Sequence, residues 1–323
     1  MYGAMPIGRR ICKWRTMPVA GWRRVDVGDR SCLAKIVRVA IFDLPENTKT
    51  EKKMIEHLLY PLVGERFKTD ARYREGHLRV VNALPEGHVL GLHSPEIKQV
   101  AKLLSSEGGE VVMSDGVHRQ CVNGAEVIRA FESTPGGMLC YEETVVWGYL
   151  INLEKCPLDE RLAMLARYVP VMDNWAVCDS YCAHAKWMAR ADKGLLWKFL
   201  ERWFDSEHEF EVRFAVVVAM CYFLDEEWLD VVFRRVDNID FDSIKSKYIT
   251  VKGKPKMAQQ GTVQGTEPYY VRMGVAWLLA TALAKFPDET RDFARSSNLP
   301  DDVVKLYIRK ARESFRTRMI AAV

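Results

Sequence analysis

The stretch Leu158-Asp159-Glu160-Arg161-Leu162-Ala163-Met164-Leu165-Ala166-Arg167-Tyr168-Val169 carries apolar side chains at Leu158, Leu162, Leu165 and Val169. Gaps of four, three and four residues draw one stripe along an α-helix. Leu195, Leu196, Phe199, Leu200, Trp203 and Phe204 repeat the pattern downstream, and Trp228, Leu229, Val232, Phe233 and Val236 repeat it again. Between these amphipathic segments lie two that are apolar on most faces, at 174–190 and 209–224. A third begins near 269 and carries Val271, Val275, Leu278, Leu279, Ala282, Leu283 and Phe286. Such helices are buried between neighbours. Amphipathic and buried segments alternate with a period of about 35 residues once 245–268 is set aside as an insertion. That is the repeat of helical solenoids, in which each helix pair buries its face against the next. The fold expected is all-α, a superhelical solenoid of antiparallel helix pairs.

Composition limits what this fold can do. The chain has 323 residues and a net charge of +4. Residues 1–40 alone hold nine Lys or Arg against Asp26 and Asp29, so the rest of the chain is acidic overall. Any nucleic-acid contact must then use a local patch. The basic extension 1–50 has no apolar core of a secretory signal. It reads as an extension from an upstream start codon or as disordered chain, since Met54 lies just before the first good helix. An organellar presequence and a nucleic-acid-binding arm are the alternatives. No stretch approaches the roughly 18–20 apolar residues of a membrane span. The eight cysteines form no CxxC pair, and Cys178 and Cys182, four apart, have no second Cys/His pair nearby. Free thiols in a reducing cytoplasm are expected, with neither metal nor cofactor.

The first half is less regular. Residues 51–64 read as a helix. Ser94-Pro95-Glu96 reads as a helix start, with Ser as cap, Pro in the first turn and Glu at the positive end. Residues 108–138 look like an insertion holding a short helix at 125–132, and Tyr141 to Asn152 resumes the helical pattern. The stretch 245–268 is rich in Lys, Gly and Gln. It reads as a basic loop, either solvated or touching a DNA backbone through residues such as Lys252 and Lys254.

One stretch carries candidate chemistry: Met172-Asp173-Asn174-Trp175-Ala176-Val177-Cys178-Asp179-Ser180. Asp173 or Asn174 can cap the helix that follows. Trp175 and Asp179, four apart, project from one face. This Asn-Trp-x-x-x-Asp pattern resembles that of the DNA alkylation repair family, the AlkD-type HEAT-like repeat proteins. Further stretches are similar in the same order. They are Gly91-Leu92-His93-Ser94-Pro95-Glu96-Ile97-Lys98, Tyr141-Glu142-Glu143, Glu211-Val212-Arg213-Phe214-Ala215, Tyr269-Tyr270-Val271-Arg272-Met273-Gly274-Val275-Ala276-Trp277, and Lys310 to Arg316. The resemblance spans about 52–318, outside the two insertions. It sets a domain of residues 51–318 between the basic extension and a tail at 319–323.

The resemblance implies a HEAT-like solenoid gripping duplex DNA in its concave face. It also implies hydrolysis of the N-glycosidic bond of cationic N3- or N7-methylated purines. A cationic base is already a good leaving group, and a carboxylate such as Asp179 can stabilise the oxocarbenium-like sugar. Trp175 and Trp277 would offer indole faces to that positive charge. Arg213 would hold a backbone phosphate, with Arg272, Tyr270, Lys186, Lys252 and Lys254 as further DNA contacts. A salt bridge from Arg213 to Glu209, one turn earlier, is the competing role. Lys98 stands where the family pattern has Arg, and the helical segment before Gly64 is short. These departures keep open a non-catalytic protein that binds distorted or branched DNA, and a protein-binding scaffold is the third reading. A monomer is expected, since the concave face must stay open.

Overall fold

The computed structural model describes residues 54–83, 89–251, 254–257 and 267–323. The basic extension 1–50 and Lys252 lie outside the described residues, and so does the side chain of Lys254. Fourteen α-helices are described, with two short hairpins between them. The chain is all-α in class.

Three short helices come first: α1 (Glu56–Leu59), α2 (Glu65–Thr69) and α3 (Ala71–Val81). The single helix expected over 51–64 is divided, with a 3₁₀ turn at Tyr60–Leu62. Pro61 lacks an N–H and cannot continue an α-helix from within. Next come α4 (Ser94–Glu107), the hairpin of β1 (Gly109–Val112) and β2 (His118–Cys121), and α5 (Gly124–Glu132). Then follow α6 (Tyr141–Leu153), α7 (Leu158–Tyr168), α8 (Trp175–His184), α9 (Lys193–Phe204), α10 (Glu209–Tyr222) and α11 (Leu229–Asp237). A second hairpin, β3 (Tyr248–Val251) with β4 (Lys254–Met257), precedes α12 (Tyr269–Leu283), α13 (Pro287–Ser296) and α14 (Asp301–Glu313).

The helices stack in two layers. In one, α4, α6, α8, α10, α12 and α14 pack each against the next. In the other, α5, α7, α9 and α13 each lie against a member of that row. The helix α11 joins the second layer by stacking Phe233 on Phe293 of α13, ring centroids 4.4 Å apart, and by Arg235 donating to the Glu201 carbonyl of α9 at 3.2 Å. This is the solenoid-like order that the alternation of amphipathic and buried segments predicts. The segment 108–138 divides differently from the expected insertion. Only the β1–β2 hairpin interrupts the row, and α5 packs between α4 and α6 as a regular member of the stack.

The Gly91 turn and the Tyr141-Glu142-Glu143 helix start, fifty residues apart, form one structural device. Glu142, fully buried at the start of α6, accepts the backbone N–H groups of Leu90, Gly91 and Leu92 at 2.9, 2.7 and 3.2 Å. Gly91 has φ +96°, and a Cβ there would sit 2.4 Å from the Phe67 ring, so only glycine fits the turn. His93, not Ser94, occupies the N-cap of α4, without a capping side chain, so the expected Ser94 cap does not form. The Glu142 carboxylate holds the preceding turn instead. Glu143 binds the Ile55 and Cys140 N–H groups at 2.6 and 2.9 Å, tying α6 to the start of the described chain. Burial pushes the Glu142 carboxyl up, and the N–H groups of Leu90, Gly91 and Leu92 oppose it. Glu142→Gln is expected to cost about 1–3 kcal/mol, since an amide cannot satisfy all three converging donors. A urea midpoint equal to wild type would contradict this role.

Candidate active site

Helix α8 begins at a cap. The Asn174 side chain accepts from the Ala176 N–H at 2.7 Å, which settles Asn174 over Asp173 as the N-cap. Its amide also donates to the Val81 carbonyl at 2.7 Å, and the Trp175 indole N–H donates to the Val80 carbonyl at 3.1 Å. Both acceptors lie at the end of α3. The next residue, Asn82, takes a left-handed conformation at φ +52°. Its side chain donates to the Tyr270 hydroxyl at 2.8 Å, and its carbonyl accepts from the Tyr248 hydroxyl at 2.9 Å. Tyr248 also reaches the Asp173 carbonyl at 3.1 Å. The end of α3 thus joins the starts of α8 and α12, with the buried Tyr248 between them.

Most of α8 is buried, as its apolar composition predicts. Helical spacing leaves one open strip: Trp175, Asp179, Ser180, Ala183 and His184 are partly or fully exposed. Cys178 and Cys182 face away from it as buried free thiols.

Asp179 sits on that strip and turns its carboxylate toward α10. Arg213 Nε donates to Asp179 Oδ1 at 3.0 Å and Nη2 donates to Oδ2 at 2.9 Å, a two-pronged pair. The third arm of the guanidinium donates to the Tyr270 carbonyl of α12 at 2.5 Å. The Arg213 side chain is only 5% exposed, against 17% for Asp179. Burial opposes the guanidinium's charge, but the charge and hydrogen bonds of Asp179 outweigh it and hold Arg213 above the ordinary arginine range. Each Asp179 oxygen keeps lone-pair capacity for a water or a sugar cation.

Arg213 therefore does not stand where a backbone phosphate could be held. Burial and three occupied N–H directions remove it from the expected DNA contacts. Its partner is also not Glu209. That carboxyl accepts from the Tyr270 N–H at 2.6 Å and from the Ser246 hydroxyl. Burial pushes it up to about 7. Tyr270 is likewise buried, with its hydroxyl on Asn82 and its ring 5.8 Å from the Arg213 guanidinium, so it shapes the site from below rather than meeting DNA. Arg272 is paired with Asp302 at 2.6 Å and lies over Phe241, which commits its charge to the fold. Lys186 is exposed. Trp277 is half-buried on α12, one turn after Gly274, which packs beside the Arg213 guanidinium.

The structure thus gathers Trp175, Asp179, Arg213 and Tyr270 from three successive members of one helix row. Sequence reasoning missed Asn82 and Tyr248 as parts of this site, and it paired Glu209 with Arg213 where the structure pairs it with Tyr270 and Ser246. An aromatic residue inside a lysine-rich stretch was the available signal for Tyr248. Among the described residues no three His, Cys, Asp or Glu side chains converge to hold a metal, and no helix is long and apolar enough to cross a membrane.

Residues 142–239 match the family model of DNA alkylation repair enzymes. The match runs from α6 through α11 and takes in Trp175, Asp179 and Arg213. No curated protein and no solved structure matches the chain.

Proposed function

We propose that this protein binds duplex DNA bearing alkylated purines and hydrolyses the N-glycosidic bond of cationic N3- or N7-methylated bases, acting as a cytoplasmic monomer of HEAT-like repeats. The observation that carries the reading is Asp179. It is a partly exposed carboxylate on the open strip of a mostly buried helix, one turn from Trp175, inside the segment that matches alkylation repair enzymes. In the reaction the C1′–N bond breaks and its electron pair neutralises the positive base. Water adds to C1′ and releases a proton to solvent. The protein's task is to stabilise positive charge developing on the sugar, which a fixed carboxylate does without reorganising. Arg213 locks the carboxylate's orientation. Trp175, pinned at its indole nitrogen by the end of α3, and Trp277 supply aromatic faces toward the cation, worth about 0.5–2 kcal/mol each.

A second reading, DNA binding without cleavage, is favoured by one observation: both Asp179 oxygens already accept from Arg213, which balances the charge that catalysis would use. Release of free methylated base from alkylated duplex, scored with formation of alkali-labile abasic sites, separates the two. Release supports the glycosylase. Retarded duplex in a gel-shift assay with no release supports binding alone.

A further inference from the structure

The open face of the row does not end at Asp179. Toward α4 lies Tyr149 of α6, a buried ring covered from both sides. The Lys98 ammonium of α4 lies 5.7 Å from the ring centroid, and the His184 ring of α8 meets it edge-on at 5.3 Å. His184 Nδ1 lies 2.7 Å from the Ser180 carbonyl, which places the proton there and leaves Nε2 turned from its own helix. Lys102 follows Lys98 by one turn of α4, and both Lys102 and Lys186 are exposed.

Lys98 and Lys102 lie one turn apart on α4, Lys186 lies two residues past His184, and none of the three is compensated. Among the described residues, none of the three has a carboxylate within salt-bridge reach, whereas Arg213, Arg272, Lys193 and Arg235 are all paired. Their proximity is felt: burial first, then repulsion from Lys102 and Lys186, holds the half-buried Lys98 below the ordinary lysine range. His184 is lowered by burial and by Lys98 and Lys186. Cations gathered from α4 and from the 3₁₀ turn that follows α8, none of them salt-bridged, are costly to the isolated protein. An anion shared between them removes that cost.

We propose that Lys98, Lys102 and Lys186, on the Tyr149 floor, form a phosphodiester site that carries the DNA backbone from α8 across α6 to α4. The inference rests on the DNA-binding reading, and it adds residues of α4 that lie outside the matched segment 142–239. Tyr149 and His184 line the site, and Lys98 is its inner cation.

The test compares wild type with the double variant Lys102→Gln/Lys186→Gln, both positions being exposed and their replacement harmless to packing. Duplex DNA binding is followed by fluorescence anisotropy over a salt series. Because the cations share one phosphate, the variant should bind about tenfold more weakly and lose about one unit from the slope of log affinity against log salt. The loss should be the same for methylated and unmodified duplex. A wild type that binds, with a variant of equal affinity and slope, overturns this site and leaves the DNA-binding reading intact. A wild type that binds no duplex overturns both. Weakened binding by the variant, in a wild type that releases no base, supports this site while the glycosylase reading falls.

Discussion

Asp179→Ala is expected to destabilise the protein by about 3–5 kcal/mol, measured by urea denaturation. The cost arises less from the lost carboxylate than from what stays behind. Arg213 remains almost fully buried, with two of its N–H groups unsatisfied and its charge unbalanced. The Tyr270 carbonyl still accepts from the third arm, so the guanidinium cannot swing out without breaking a further bond. Asp179→Asn keeps an acceptor facing the guanidinium and should cost markedly less. The companion variant Asp179→Leu/Arg213→Met removes both charges and should recover most of the loss, since a well-packed apolar pair replaces a buried ion pair at little cost. Equal stability of Asp179→Ala and wild type would show that the pair does not form in solution.

A second large effect concerns pH. Glu209 is buried and pushed up to about 7 from an ordinary value of 4.5. The folded chain therefore holds this proton more tightly than the unfolded chain does. Its contribution to stability is fully present below pH 4.5, is lost as pH rises through about 7, and is constant above that. Integrated over the window, the loss is about 3 kcal/mol. His77 acts in the opposite sense. Burial, with a smaller push from His93, lowers it from 6.5 to about 4, so its contribution is present above pH 6.5 and is lost as pH falls toward 4. The two overlap and partly cancel in wild type. The informative quantity is thus the difference between wild type and Glu209→Gln. Gln cannot titrate, so wild type should lose stability relative to Glu209→Gln as pH rises from 4.5 to 7. Parallel stability curves would contradict the raised carboxyl.

The helices α7 to α12 were legible because apolar spacing is a local property, visible within a dozen residues. The same locality explains what was not. The β1–β2 hairpin pairs Gly109 with Cys121 across a turn, and its strands are too short and too polar to show alternation. Glu142 belongs to a readable local pattern, but its reason, three N–H groups arriving from residues 90–92, lies fifty positions away. Arg213 shows the same limit. Its nearest acid along the helix is Glu209, one turn back. Its actual partner, Asp179, lies 34 residues upstream on the neighbouring helix. The pairing of Trp175 with Asp179 on one face was readable from spacing alone. That the end of α3 would fasten Asn174 and Trp175 was not, because it depends on how the chain folds back over the row.

The most direct test of the account is the single-turnover rate of methylated-purine release from alkylated duplex by wild type and by Asp179→Asn, with folding of both confirmed by their urea midpoints. The account predicts release by wild type and a rate at least about tenfold lower in the variant, as expected when a fixed electrostatic partner of the transition state is removed. No release by folded wild type, or equal rates from the two proteins, would contradict it.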